Sequence, residues 1–224
     1  MGLAAVQVLE RLGCSVSCPA GQTCCGQPAL NAGCVDDARA MARHTLGVLT
    51  RSGDPVVVPS GSCADMIVHR YPELLEAEPR YREAARELAG RSYELSQFLR
   101  DVLNVERVET RARGRFTYHA SCHLLRGLGQ REGPRALLAG VEGAELVPLE
   151  GAEDCCGFGG LFALEMSDIS GAMLERKIEC ILATGASAVV ACDVGCLLHI
   201  EGGLRRHAAN VKVLHLAELL ASED

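Results

Sequence analysis

The tripeptide Cys-Cys-Gly stands once in each half of the chain, at Cys24-Cys25-Gly26 and at Cys155-Cys156-Gly157. Downstream of each comes an apolar run that ends on a further cysteine. In the first half it is Val56-Val57-Val58-Pro59-Ser60-Gly61-Ser62-Cys63, in the second Ala188-Val189-Val190-Ala191-Cys192-Asp193-Val194-Gly195-Cys196. The cysteine pair and the last cysteine are 38 residues apart in the first half and 40 in the second (63 − 25 and 196 − 156). An ungapped offset of 131 residues (155 − 24) also lays Gly133-Pro134-Arg135-Ala136-Leu137-Leu138 on Gly2-Leu3-Ala4-Ala5-Val6-Gln7. Self-similarity of this length predicts a duplicated α/β unit with two pseudo-equivalent lobes, since a solenoid needs more repeats. The first lobe is expected over 1–110 and the second over 111–224.

Adjacent thiols constrain the chemistry as tightly as the fold. One tetrahedral zinc takes cysteines spaced two to four residues apart, and neighbouring sulfurs suit it badly. A multi-iron cluster accepts them, because neighbouring sulfurs can reach different irons. The doubled motif therefore predicts an iron–sulfur protein. The candidate ligands are Cys122, Cys155, Cys156 and Cys196 in the second half, with Cys192 as a possible addition, and Cys24, Cys25 and Cys63 in the first.

The repeat is incomplete at its beginning. The second half opens with Phe116-Thr117-Tyr118-His119-Ala120-Ser121-Cys122-His123, an apolar strand running into a cysteine 33 positions before Cys155 (155 − 122). Moved back by the same offset, that cysteine falls upstream of Met1. Either the first lobe has lost its opening strand and first ligand, or the chain begins at a wrong or internal start; the second is the expectation, because Gly2 opens directly on a helical pattern with no strand before it. A mass measurement on natively expressed protein checks it, since the mass of these 224 residues alone refutes it.

At 224 residues and 48% hydrophobic, the chain can bury a core without disulfide staples. Twelve cysteines are too sparse for a small secreted disulfide scaffold. Clustered cysteines then read as metal ligands or redox groups in a reducing cytoplasm. No basic leader or cleavage pattern precedes Glu10-Arg11, and no apolar stretch approaches the roughly 18 residues of a membrane span. Net charge −7 without Trp argues against a nucleic-acid partner. No G-x-G-x-x-G follows a strand, so neither a flavin nor an NAD site is expected.

Helices are predicted over Leu3–Leu12, Asp36–Leu49, Arg80–Leu103, Leu161–Ala183 and Ala217–Ala221. Strands are predicted over Val56–Val58, Phe116–Ala120, Glu145–Leu149, Ala188–Ala191 and Val211–Leu216. Their alternation implies a mainly parallel sheet in each lobe, covered by helices. The cysteine loops fall beyond strand C-termini, where such sheets collect functional groups. Gly26 and Gly157 read as turns with positive φ beside a bulky group. Cys14, Cys18, Cys34 and Cys180 have no partner under the repeat and read as small buried hydrophobes. His123 either replaces a thiolate or donates to a cluster sulfur, or else starts a helix at the surface, the last being the expectation. Asp65 and Asp193 read as caps rather than ligands.

The pattern Cys122-x32-Cys155-Cys156-x35-Cys192-x3-Cys196, with a CCG in each half, resembles the cysteine-rich CCG domain family. That family includes the CCG-bearing component of heterodisulfide reductase and the iron–sulfur subunits of lactate and glycolate oxidation systems. The likeness is nearest to the lactate-utilization branch. It rests on Leu9-Glu10-Arg11-Leu12-Gly13-Cys14, Cys24-Cys25-Gly26-Gln27-Pro28-Ala29, Pro59-Ser60-Gly61-Ser62-Cys63, Ser121-Cys122-His123, Cys155-Cys156-Gly157-Phe158-Gly159-Gly160 and Gly195-Cys196-Leu197. The resemblance implies a non-flavin subunit for oxidation of L-lactate to pyruvate, working with companion proteins that include a second iron–sulfur protein. Service to glycolate or to a thiol substrate is the alternative, and a structural zinc protein the third reading. The domain's fullest form ends in CxxC, whereas Cys192-x3-Cys196 is longer. A [4Fe-4S] cluster on four thiolates therefore fits better than a five-thiolate one.

Overall fold

The computed structural model describes residues 1–222. Its first part contains α1 (Gly2–Arg11), α2 (Gln27–Asn31), α3 (Val35–Leu49), β1 (Val56–Val58), α4 (Gly61–Asp65), α5 (Tyr71–Leu75), α6 (Pro79–Gly90), β2 (Ser92–Glu94) and α7 (Leu95–Gln97). Then come β3 (Arg111–Tyr118), α8 (Gly133–Ala139), β4 (Glu142–Val147), α9 (Phe162–Glu165), α10 (Ser167–Ala183), β5 (Ala188–Ala191), α11 (Val194–Arg206), β6 (Lys212–His215) and α12 (Leu216–Leu220). Among the described residues, β1 and β2 form a two-stranded parallel sheet, and the other four strands a parallel sheet in the order β4-β3-β5-β6. The α/β class and the parallel sheets covered by helices are as the alternation predicted.

Three apolar cores organise these elements. One lies wholly in the first lobe, from Cys25 to Leu88, and one wholly in the second, from Leu149 to Leu204. The third joins the halves: Ala4, Ala5, Val8 and Leu9 of α1 pack with Leu95, Phe98 and Leu99 against β3, β5, α8 and α12. Strand alternation assigns the faces, because successive side chains point to opposite sides of a sheet. Ala188, Val190 and Cys192 enter the joint core, while Val189 enters the second-lobe core.

The duplication is visible residue by residue. In α3 the buried positions include Ala38, Ala42, Thr45 and Leu46, and in α10 they include Ser170, Leu174, Lys177 and Ile178. Both sets repeat at i, i+4, i+7, i+8, one helical face turned inward. Gly26 and Gly157 adopt φ of 90° and 92°. A Cβ on either would lie 3.1 Å from Met41 Cβ or Met173 Cβ respectively, and 3.3 or 2.7 Å from the carbonyl oxygen of Ala38 or Ser170. Each CCG turn is thus clamped onto its long helix, and both conformation and space demand glycine.

Several expected boundaries shift. The helix predicted over Arg80–Leu103 ends at Gly90, and Ser92–Glu94 becomes β2, pairing with β1. Apolar spacing near 3.6 hid a three-residue strand whose ladder partner is distant in sequence. The helix predicted over Leu161–Ala183 breaks at Met166, whose backbone is non-helical (φ −118°, ψ 47°). Helices α2, α4, α5, α8 and α11 were not anticipated. Cys14–Ser17, which matches the second half's β4 region under the offset, forms no strand.

Glu94 caps α7 by accepting from the Ser96 and Gln97 amides, and its other carboxylate oxygen is buried without a partner. Burial raises its pKa to about 7, against the opposing hydrogen bonds from Ser96 and Gln97. A folded-state pKa above the unfolded value stabilises the fold below about pH 4.5, and this contribution is lost as pH rises through 7. Glu94→Gln keeps an acceptor for the Ser96 amide and removes the titration. It is expected to be the more stable protein at pH 8, by about 3 kcal/mol on the linkage relation, with the gap closing at pH 4.5. Denaturation midpoints at the two pH values check this.

Candidate metal centre

In the second lobe the chain brings four thiols and one imidazole together. Cys122 follows the end of β3, Cys155 and Cys156 stand on the turn after β4, and Cys196 lies in the first turn of α11 beyond β5. The sulfurs of Cys156 and Cys196 and a ring nitrogen of His119 all lie within 4.8 Å of one another. Cys155 lies next to Cys122 and Cys156, close enough for each to act on its charge, and Cys156 in turn lies next to Cys196. Acceptance from Cys122 and Cys156 holds Cys155 far below the ordinary thiol value. Acceptance from Cys156 holds Cys196 down to about 6, against the effect of burial. The Gly157 amide adds a 3.4 Å contact to the Cys155 sulfur. Cys155 and Cys196 are thus the two of the four whose neighbours favour the thiolate, the form that ligates metal.

Two groups frame this site. Lys177 is 2% exposed and donates to the Gly151 carbonyl, pinning the loop that leads to Cys155. Burial lowers its pKa, while Asp154 and the thiols Cys156, Cys180 and Cys155 pull the other way. The matching position in α3 is Thr45, so a buried lysine stands at this place only in the second lobe. Asp193 caps α11 by accepting from the Gly195 amide at 3.1 Å. Its other oxygen accepts from the Ser62 amide at 2.9 Å and the Ser60 hydroxyl at 3.2 Å, across the lobe boundary. The cap reading of Asp193 agrees with this geometry.

The first lobe holds a smaller group. Cys25 donates to Cys63 across 3.3 Å, which brings Cys63 down to about 7 and pushes Cys25 up. Cys24 beside them is exposed. The Tyr71 hydroxyl fixes the turn by donating to the Cys25 carbonyl at 2.8 Å.

Other candidates lie apart. Cys192, just beyond β5, is fully buried in the joint core, with the Tyr118 hydroxyl 3.9 Å from its sulfur, while Cys156 and Cys196 belong to the opposite core. His123 has both ring nitrogens engaged, Nδ1 with Asp65 at 2.7 Å and Nε2 with Gln27 at 3.0 Å. Asp65 thus serves as an interlobe partner, not a cap. The Asp65–His123 pair borders a cavity of about 400 Å³ whose rim mixes Arg39 and Arg70 with Glu73. Cys14 and Cys180 pack against cores, but Cys18 and Cys34 are exposed rather than buried.

His119 is the group that sequence reading missed. The signal was present: a strand through Phe116 and Tyr118 places residues 117 and 119 on its opposite face, two positions before the cysteine turn.

Comparison with known proteins agrees with this architecture. The model of the CCG family, described as a cysteine-rich domain, matches residues 1–68 and 116–201, covering both cysteine groups. A lactate utilization protein A from Geobacillus sp. (strain WCH70) is 46% identical over 221 residues, 99% of this chain and 92% of the relative. Its counterpart from Bacillus subtilis (strain 168) is 45% identical over 222 residues, 99% and 92% of the two chains. That of Macrococcus caseolyticus (strain JCSC5402) is 43% identical over 223 residues, 100% and 90%. Paired CCG turns, one cysteine group per lobe and likeness along nearly the whole length establish that this chain belongs to the cysteine-rich CCG family, in its lactate utilization protein A branch.

Proposed function

We propose that the protein is the iron–sulfur subunit of a multi-protein system that oxidises L-lactate to pyruvate, acting in electron transfer. The observation that carries this reading is the convergence of Cys122, Cys155, Cys156 and Cys196 from three separate loops in a chain so similar to lactate utilization proteins. The donor set fits the group. Four thiols from three strand ends, two of them adjacent in sequence, suit a [4Fe-4S] cluster better than one zinc. Cys24, Cys25 and Cys63 are the ligands proposed for the first lobe.

A bound cluster supplies single-electron transfer at a potential set by charge, burial and hydrogen bonds. The residues of the chain prepare that setting. Glycine turns bring backbone amides near the sulfurs, Lys177 holds the approach loop, and the second-lobe core keeps Cys156 and Cys196 more than nine-tenths buried. Lactate oxidation yields two electrons, so one-electron centres must share them with companion proteins, a second iron–sulfur protein among them. Flavin or nicotinamide chemistry belongs to a companion in this scheme. Twelve unpaired thiols support a cytoplasmic setting, and among the described residues no helix is long and apolar enough to cross a membrane.

Anaerobic purification with iron, sulfide and zinc analysis tests the proposal. About four or more irons per chain with matching sulfide, in brown protein, are expected for [4Fe-4S] occupancy. Stoichiometric zinc without sulfide would overturn it.

A further inference from the structure

The strand that delivers Cys122 also delivers His119, and the backbone there is tightly held. The His119 amide donates to the Val190 carbonyl at 2.9 Å, and the Ala120 amide to the Ala152 carbonyl at 3.0 Å. Phe116, Tyr118 and Ala120 face the joint core, which leaves His119 on the side where Cys156 and Cys196 lie. The imidazole is 0% exposed, and neither ring nitrogen has a hydrogen-bond partner among the described residues. The Ser121 hydroxyl, two residues further along, is also buried without one. A neutral imidazole carries one N–H and one lone pair, and leaving both unmet in a core is costly. An apolar side chain would avoid that cost, so the imidazole is placed there for a partner among the sulfurs beside it. Among the described residues, His119, Cys156 and Cys196 are the only three metal-ligating side chains whose ligand atoms approach so closely.

We propose that His119 donates its N–H to a cluster-bound thiolate of the second lobe, Cys196 foremost, and thereby raises the reduction potential of that cluster. This rests on the iron–sulfur reading above. A hydrogen bond to a ligating sulfur withdraws electron density and favours the reduced state. With four thiolates available, the imidazole is a positioning and tuning group rather than a ligand.

The test is an EPR-monitored redox titration of the full chain, loaded anaerobically, for wild type, His119→Leu and His119→Gln. The leucine variant is expected to keep wild-type iron and sulfide but to titrate at a lower midpoint potential. The glutamine variant, which retains an N–H, is expected to recover part of the shift. An unchanged potential at full iron content in His119→Leu overturns the proposal. If the leucine variant takes up no iron, pulsed EPR of the wild type decides. A weak nitrogen coupling, with an exchangeable proton near the cluster, supports the donor, whereas a direct iron–nitrogen coupling makes His119 a ligand and overturns it. Wild-type protein that binds no iron defeats the underlying reading, and this proposal with it.

Discussion

Cys156→Ser is expected to empty the second-lobe site, lowering iron by one cluster's worth, while Cys192→Ser keeps the full complement. The contrast follows from where β5 and the CCG turn point their side chains. Cys156 is 2% exposed and stands in the middle of the thiol chain, meeting both Cys155 and Cys196. A serine there loses the soft thiolate that holds iron. Cys192 is equally inaccessible, but it sits in the joint core with Val190 and Leu216, near the Tyr118 hydroxyl. Serine at that place buries a hydroxyl among apolar groups, which costs about 1–3 kcal/mol, so Cys192→Ser should melt several degrees lower than wild type. Iron content with melting temperature for both variants gives the answer. Loss of the cluster from Cys192→Ser, with the fold retained, would restore Cys192 as a ligand.

The parts of this arrangement that could be read from the sequence are those that the duplication repeats. Strands β1 and β5 lie where the apolar runs Val56–Val58 and Ala188–Ala191 predicted, and both CCG turns are built alike down to the methionine that meets each glycine. What could not be read depends on contacts made at a distance. The β2 strand exists because Ser92, Tyr93 and Glu94 pair with Val56, Val57 and Val58, across a helix that sequence periodicity continued without a break. Helix α11 carries Gly202 and Gly203, which weaken a helical pattern; Gly203 is there because a Cβ would lie 2.8 Å from Ile178 Cγ1 of α10. The role of His123 was hidden for the same reason, since Gln27 and Asp65 come from the other lobe. His119 is different: strand alternation alone was enough to turn it toward the cysteines.

The interlobe contact predicts the second large effect. Gly61 opens α4 at the end of β1, and its amide donates to the Cys192 carbonyl at 3.0 Å. A Cβ at this position would lie 2.7 Å from Leu124 Cβ and 3.1 Å from the Leu124 backbone nitrogen. Leu124 is fully buried in the joint core, so it cannot swing aside as a surface side chain would. No positive φ is involved; the glycine is required by close approach alone. Gly61→Ala therefore has to push α4 away from the turn that follows Cys122, straining the Ser60, Ser62 and Asp193 contacts beside it. Overpacking of this kind costs about 1–3 kcal/mol, and the loss of interlobe hydrogen bonds adds to it. Gly53→Ala is the control, because nothing lies within 4 Å of its Cβ position. In chemical denaturation Gly61→Ala should unfold at a clearly lower midpoint, while Gly53→Ala stays near wild type. The same displacement reaches both cysteine groups, since Cys63 lies in the first turn of α4 and Cys122 directly precedes the displaced leucine turn. The alanine variant should consequently retain less iron at both sites, and equal stability of the two alanine variants would show that the lobes are not held together through this contact.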